Sequence, residues 1–217
     1  MSRTKVSLDE MLSAVVAAYR VNGDQIVKVP NEDKKISNKT IILSLLAGQE
    51  CSAEITEQDR LQAQTIRSYM VQRHMLSQLT GKPLGEFVDQ IASYLNTDTV
   101  PAWSAGILAW APKVYQSLLV QDGVNQEFSL LSTTSSYIGK LGDKLELDFT
   151  VVSKRWSQAY NCWRYAGHDG RGNLVGFLNK KELSQGSVKI KGRVKAQEVA
   201  KSTGGKTTFL NYVKELQ

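Results

Sequence analysis

The chain has 217 residues, of which 41% are hydrophobic and 22% charged, the balance of a globular protein with room for one large domain or two small ones. No apolar run approaches the roughly 18–20 residues of a membrane span, the N-terminus Met1–Val6 carries no signal-peptide core, and two cysteines and two histidines are too few for a disulfide framework or a Cys/His metal site. An intracellular, cytoplasmic protein without metal or other cofactor is therefore expected.

Charge is placed unevenly. Residues 1–125 hold 12 Lys+Arg against 13 Asp+Glu, whereas residues 126–217 hold 15 against 8. The formal excess of +6 thus sits wholly in the second segment, which is the footprint of a polyanion-binding module beside a neutral one.

The first segment reads as helices. Ser7-Leu8-Asp9-Glu10 has the spacing of a capping box, and Leu8, Met11, Leu12, Val15, Val16 and Tyr19 follow at helical spacing up to Gly23. Pro30–Lys35 is a polar connector, and a short helix is expected near Asn38–Leu46, stopped by Gly48. Thr56-Glu57-Gln58-Asp59 opens the longest periodic segment, with Leu61, Thr65, Ile66, Tyr69, Met70, Leu76 and Leu79 ahead of Gly81. Residues 83–95 form a further helix through Phe87, Ile91 and Leu95. Pro101 and Pro112 each suit the first turn of a short helix.

The period changes near residue 126. Leu145, Leu147, Phe149 and Val151 alternate with Lys144, Glu146, Asp148 and Thr150, as in a half-buried strand. Residues 161–168 give a second strand, Asp169-Gly-Arg-Gly-Asn173 a hairpin turn and residues 173–178 a third strand. Lys180–Gln185 is a short polar link of helical character. Residues 188–195 and 207–214 are strands four and five, joined across Gly204-Gly205. Strand, strand, strand, link, strand, strand is the order of the OB-fold, a five-stranded Greek-key barrel that commonly binds oligonucleotides.

The sharpest signal is on strand four, where Lys189, Lys191, Arg193 and Lys195 alternate with Val188, Ile190, Gly192 and Val194. Side chains two apart share a face, so four cations stand in a row at roughly 6–7 Å intervals. Such a row suits phosphates and carries no sequence preference. Lysines also guard bare edge strands, but that role needs one or two cations rather than four. Lys154, Arg155, Arg164, Lys201 and Lys206 would widen the basic path. Trp156, beside Lys154 and Arg155 in an expected loop, is the best base-stacking candidate. Trp163, which shares a face with Tyr165, is divided between stacking and core packing.

Catalytic readings are thin. Ala200–Thr207 resembles a loosened phosphate loop, but that loop must open a helix, and Thr-Phe-Leu-Asn-Tyr-Val alternates like a strand. His74 and His168 read as surface and turn residues. Asp143, Glu146 and Asp148 fall on a solvent-facing strand side, the ordinary place for charge. No enzyme is expected.

The set Tyr137-Ile-Gly-Lys-Leu-Gly-Asp-Lys-Leu-Glu-Leu147, Asp169-Gly-Arg-Gly-Asn173, Gly192-Arg-Val-Lys195 and Lys206-Thr-Thr-Phe-Leu-Asn-Tyr-Val-Lys214 resembles the OB-fold-like modules of tailed-bacteriophage replication and single-stranded DNA-binding proteins. The resemblance covers about 80 residues and does not extend to the helical segment. It implies binding of exposed single strands in viral DNA replication, recombination or transcription, in the host cytoplasm. Bacterial-type members end in an acidic tail that recruits partners, whereas this chain ends Val-Lys-Glu-Leu-Gln217.

The expectation is thus an α+β protein, with a helical N-terminal region (1–125) followed by a five-stranded OB-type β-barrel (126–217). The barrel binds single-stranded DNA, or RNA by the same chemistry, with four or five phosphates neutralised and a log–log salt slope of about −3 to −4. The helical region sets a homo-oligomer or docks replication or transcription proteins. The alternative is a protein-binding adaptor, such as a polymerase cofactor or a helicase loader.

Overall fold

A computed structural model describes residues 4–29, 35–184, 186–201 and 203–216. Of the Pro30–Lys35 connector only Lys35 lies among them, and Gln185 and Ser202 also fall outside. The chain divides into two compact units, Met1–Leu119 and Val120–Gln217. The division falls inside a helix, ahead of the expected boundary at 125/126.

The first unit is built around helix α1 (Leu8–Val21), which is buried from Met11 to Tyr19 without interruption. A helix apolar on all sides is a central one. Around it lie α2 (Asn38–Leu46), α3 (Glu57–Thr80), α4 (Glu86–Leu95), a 3-10 turn at Ala102–Ser104, α5 (Ala105–Leu108) and the start of α6 (Ala111–Thr134). The sequence pattern does not foresee a two-stranded ribbon, β1 (Lys5–Ser7) with β2 (Thr99–Pro101).

That ribbon changes the start of α1. Ser7 stands at the N-cap but its side chain makes no cap bond, and the Leu8 N–H is instead taken by the Asp98 carbonyl at 2.9 Å. The capping box forms on α3. The Thr56 hydroxyl accepts from the Asp59 N–H, and the Asp59 carboxylate accepts from the Thr56 N–H. Asp59 is 1% exposed and also receives both arms of Arg20 at 2.9 Å. Burial works against its ionisation, but hydrogen bonds from Arg20 and Thr56 outweigh that and hold its carboxyl below the usual range.

The second unit is a closed barrel of β3 (Lys144–Ser157), β4 (Cys162–Asp169), β5 (Leu174–Asn179), β6 (Ser187–Val199) and β7 (Lys206–Glu215), in the order β3-β4-β5-β7-β6. All neighbours are antiparallel except β5 and β7, which are parallel. This is the OB arrangement, and the protein is α+β with the barrel following the helical region. The barrel is filled by Phe149, Tyr165, Val175, Phe177, Val188, Ile190, Val194, Leu210 and Val213. Tyr165 stacks on Phe177 at 5.1 Å, and its hydroxyl accepts from the Leu183 N–H at 2.8 Å, so its polar end is satisfied inside.

Two local features depart from the sequence reading. Residues 180–184, expected to have helical character, form no helix. Helix α6 runs on to Thr134, past the point where the period was expected to change. Its later half places Gln121, Val124, Phe128 and Leu131 on one stripe, with Phe128 buried and the other three half-buried. Its end is tied to the barrel by Ser135, whose hydroxyl donates to the Lys206 carbonyl at 2.6 Å and accepts from the Leu174 N–H at 2.8 Å.

Candidate nucleic-acid interface

Strand β6 realises the expected alternation. Lys189, Lys191, Arg193 and Lys195 are exposed, and Val188, Ile190, Gly192 and Val194 are buried. The register then decides what each cation meets. On β3, Lys144 lies opposite Arg193, Glu146 opposite Lys191 and Asp148 opposite Lys189. On β7, Asn211 lies opposite Arg193 and Lys214 opposite Lys191.

The row is therefore graded along its length. Lys191 is ion-paired to Glu146 at 2.6 Å, and that hydrogen bond holds the Glu146 carboxyl below its usual range, with Lys189 adding a smaller pull. Asp148 faces Lys189 across the strands. At the other end no carboxylate stands opposite on β3 or β7. The Arg193 Nε–H donates to the Gly142 carbonyl at 2.8 Å, which fixes the guanidinium and leaves its terminal nitrogens to the surface. Lys195 sits at a register shift between Val194 and Ala196. With Lys144 opposite Arg193 on β3 and no acid opposite on β7, the Arg193–Lys195 end is the more strongly cationic.

Beside it stands a residue that the sequence reading placed only on a late strand. Between the pairs Arg193–Asn211 and Lys191–Lys214, β7 carries one extra residue, a β-bulge. Tyr212 takes it up with φ +53°, a left-handed conformation that costs a non-glycine residue about 1–2 kcal/mol. The bulge lets Leu210 and Val213 both turn inward and leaves the Tyr212 ring 80% exposed. The strained residue thus stands as an exposed aromatic between the positions opposite Arg193 and Lys191.

The other predicted residues fall into three separate places. At one end of the barrel Trp156 and Trp163 meet edge-on at 5.2 Å. Trp156 belongs to β3 and not to a loop, because that strand continues to Ser157 and leaves only residues 158–161 as the turn. Trp156 is 46% exposed and Tyr160 70%, whereas Trp163 packs against the barrel core. Lys154 lies over the Trp163 ring at 4.9 Å and is ion-paired to Glu182.

Arg155 and Arg164 form the second group. A bulge near Val151–Ser153 in β3 shifts the side-chain alternation, so Arg155 turns outward directly opposite Arg164 on β4. That outer face of β4 is where OB barrels commonly take ligand. Here the later half of α6 lies across it. The Gln121 amide oxygen accepts from Arg155, and Glu127 reaches His168 at 3.7 Å. A cleft of about 250 Å³ remains between helix and sheet.

Lys201 and Lys206 make the third group, exposed at the β6–β7 hairpin. The Gly204-Gly205 stretch is the turn of that hairpin and is followed by β7, so the phosphate-loop spacing has no helix behind it. Among the described residues no group of three or more His, Cys, Asp or Glu side chains is placed to hold a metal ion, and no helix is long and apolar enough to cross a membrane.

Searches of protein-family models, of curated proteins and of solved structures return no match to this chain.

Proposed function

We propose that this protein binds single-stranded DNA without catalysing a reaction and largely without regard to sequence, along the outer face of β6 and β7. The observation that carries the reading is the exposed row Lys189, Lys191, Arg193 and Lys195, with the strained, solvent-facing Tyr212 beside its uncompensated end. Cations at strand spacing match the backbone of a flexible polyanion, and an exposed ring offers a base a stacking partner at about 1–3 kcal/mol.

Duplex DNA is the poorer ligand, because its bases are already stacked and cannot reach Tyr212. The sequence resemblance to phage replication modules supports a role in replication, recombination or transcription of viral DNA. On α3, Met75, Leu76 and Leu79 are exposed apolar residues within about one turn of each other, which supports a docking role for the helical unit toward a replication or transcription protein.

The test is titration of the full chain with labelled oligothymidine, the same length of RNA and a duplex, each at low and at physiological salt. Tight, salt-sensitive binding of the single strands and much weaker binding of the duplex is the expected result. No binding of any strand at low salt would remove this reading and leave the adaptor function, with the helical unit as its binding surface.

A further inference from the structure

We infer that the cleft between the later half of α6 and the outer face of β4 is a binding site for a phosphate group, with Arg155 and Arg164 as its two cationic jaws. This inference deepens the single-strand reading, since a strand's terminal phosphate is one source of that group and a free phosphate or nucleotide is the other.

The starting point is a conflict in the sheet. Arg155 and Arg164 are direct cross-strand neighbours on one face, and like charges so placed repel at a Cβ separation of roughly 5 Å. None of the nine residues lining the cleft is acidic. The lining instead offers donors: Asn125, Ser153 and Thr203 besides the two guanidinium groups.

The donors are also oriented. Arg155 donates one terminal N–H to the Gln121 amide oxygen, and the Gln121 amide nitrogen donates to Asn125 Oδ1 at 2.9 Å. That relay gives each amide oxygen one donor. The Asn125 amide N–H pair and the remaining guanidinium N–H groups are further donors in the same lining. A tetrahedral oxyanion between two guanidinium groups would turn their repulsion into paired, charge-assisted hydrogen bonds. Val124, Phe128 and Ala166 supply an apolar wall on which these bonds are less screened by water.

Titration of the isotope-labelled full chain with inorganic phosphate, at constant ionic strength set by chloride, tests the site. Saturable shifts are expected at the Asn125 side-chain amide and at the Arg155 and Arg164 side-chain N–H resonances. Arg164→Gln, on an exposed strand position, should fold normally and weaken phosphate binding about tenfold or more.

A second arm compares oligothymidine with and without a 5′-phosphate. Tighter binding of the phosphorylated strand, lost in Arg164→Gln, assigns the strand end as the source. Equal binding of both strands with phosphate binding intact assigns a free phosphate or nucleotide. Absence of saturable shifts, or shifts that survive unchanged in Arg164→Gln, overturns the inference. It is separable from the single-strand reading, because Arg193→Glu with Lys195→Glu should abolish oligonucleotide binding and leave phosphate binding as it was.

Discussion

The barrel has two basic faces that a strand-by-strand reading treats alike, and they are built to opposite ends. The outer face of β6 and β7 is open, and its cations stand in a row on one strand, graded from Lys189 and Lys191, each opposite a carboxylate residue, to Arg193 and Lys195, which have none opposite. The outer face of β4 carries only the pair Arg155 and Arg164, and the chain's own helix lies over it. The first can follow a long flexible ligand, and the second can enclose one small group. Basic composition therefore does not define a function by itself; what covers the cations and what stands opposite them does.

Reversing charge at the open end should break the comparison most severely. Arg193→Glu with Lys195→Glu is expected to weaken oligothymidine binding by about 100-fold or more, from two charge-assisted contacts of about 1.5–3 kcal/mol each. Lys189→Glu with Lys191→Glu should cost less, because Asp148 and Glu146 already offset those cations. Equal losses from the two double variants, measured by fluorescence anisotropy, would show that the grading has no functional weight. All four positions face water, so thermal unfolding of each variant should stay near the native midpoint.

Tyr212→Gly separates strain from stacking. Glycine tolerates the positive φ, so the barrel should gain about 1 kcal/mol in stability, while binding should lose about 1–3 kcal/mol with the ring. A variant that gains stability and keeps full affinity would make Tyr212 an idle surface residue.

The smallest effect has the opposite sign. Glu146→Gln releases Lys191 and should tighten binding a few-fold at most, since an exposed pair is screened by water. Acid should do the same to the native protein. Because Lys191 holds the Glu146 carboxyl below its usual range, the carboxylate stays charged above that range and the pair persists. As pH falls through the lowered value the pair is lost, Lys191 is freed and affinity rises. Affinity profiles of the native protein and Glu146→Gln across pH 3–6 should converge at the acid end.

Much of the barrel was legible because its strands alternate cleanly. The period-two pattern of Val188–Lys195 and of Leu145–Val151 places both the core and the cationic row correctly. The parts that were not legible hinge on single inserted residues or on weak helix formers. The bulge at Tyr212 carries no glycine to announce it, and the one near Val152 turns Arg155 outward without any mark in composition.

The later half of α6 contains Gly123, Ser129, Ser132, Thr133 and Thr134, poor helix formers that hide a helix held by packing on the barrel. Ser7 has the spacing of a capping residue, but strand pairing satisfies the backbone first. Charge and aromaticity alone group Trp163, Arg164 and Lys154 with the row. The register and the covering helix set them apart from it.

The most direct measurement is the slope of log affinity for oligothymidine against log salt concentration. Lys191 shares its charge with Glu146, so three to four effective phosphate contacts are expected, giving a slope of about −2 to −3 at about 0.7 per contact. It should flatten in Arg193→Glu with Lys195→Glu and hold its value in Arg164→Gln. A slope near zero, or one that Arg164→Gln flattens and the β6 variant does not, would contradict binding along the open face.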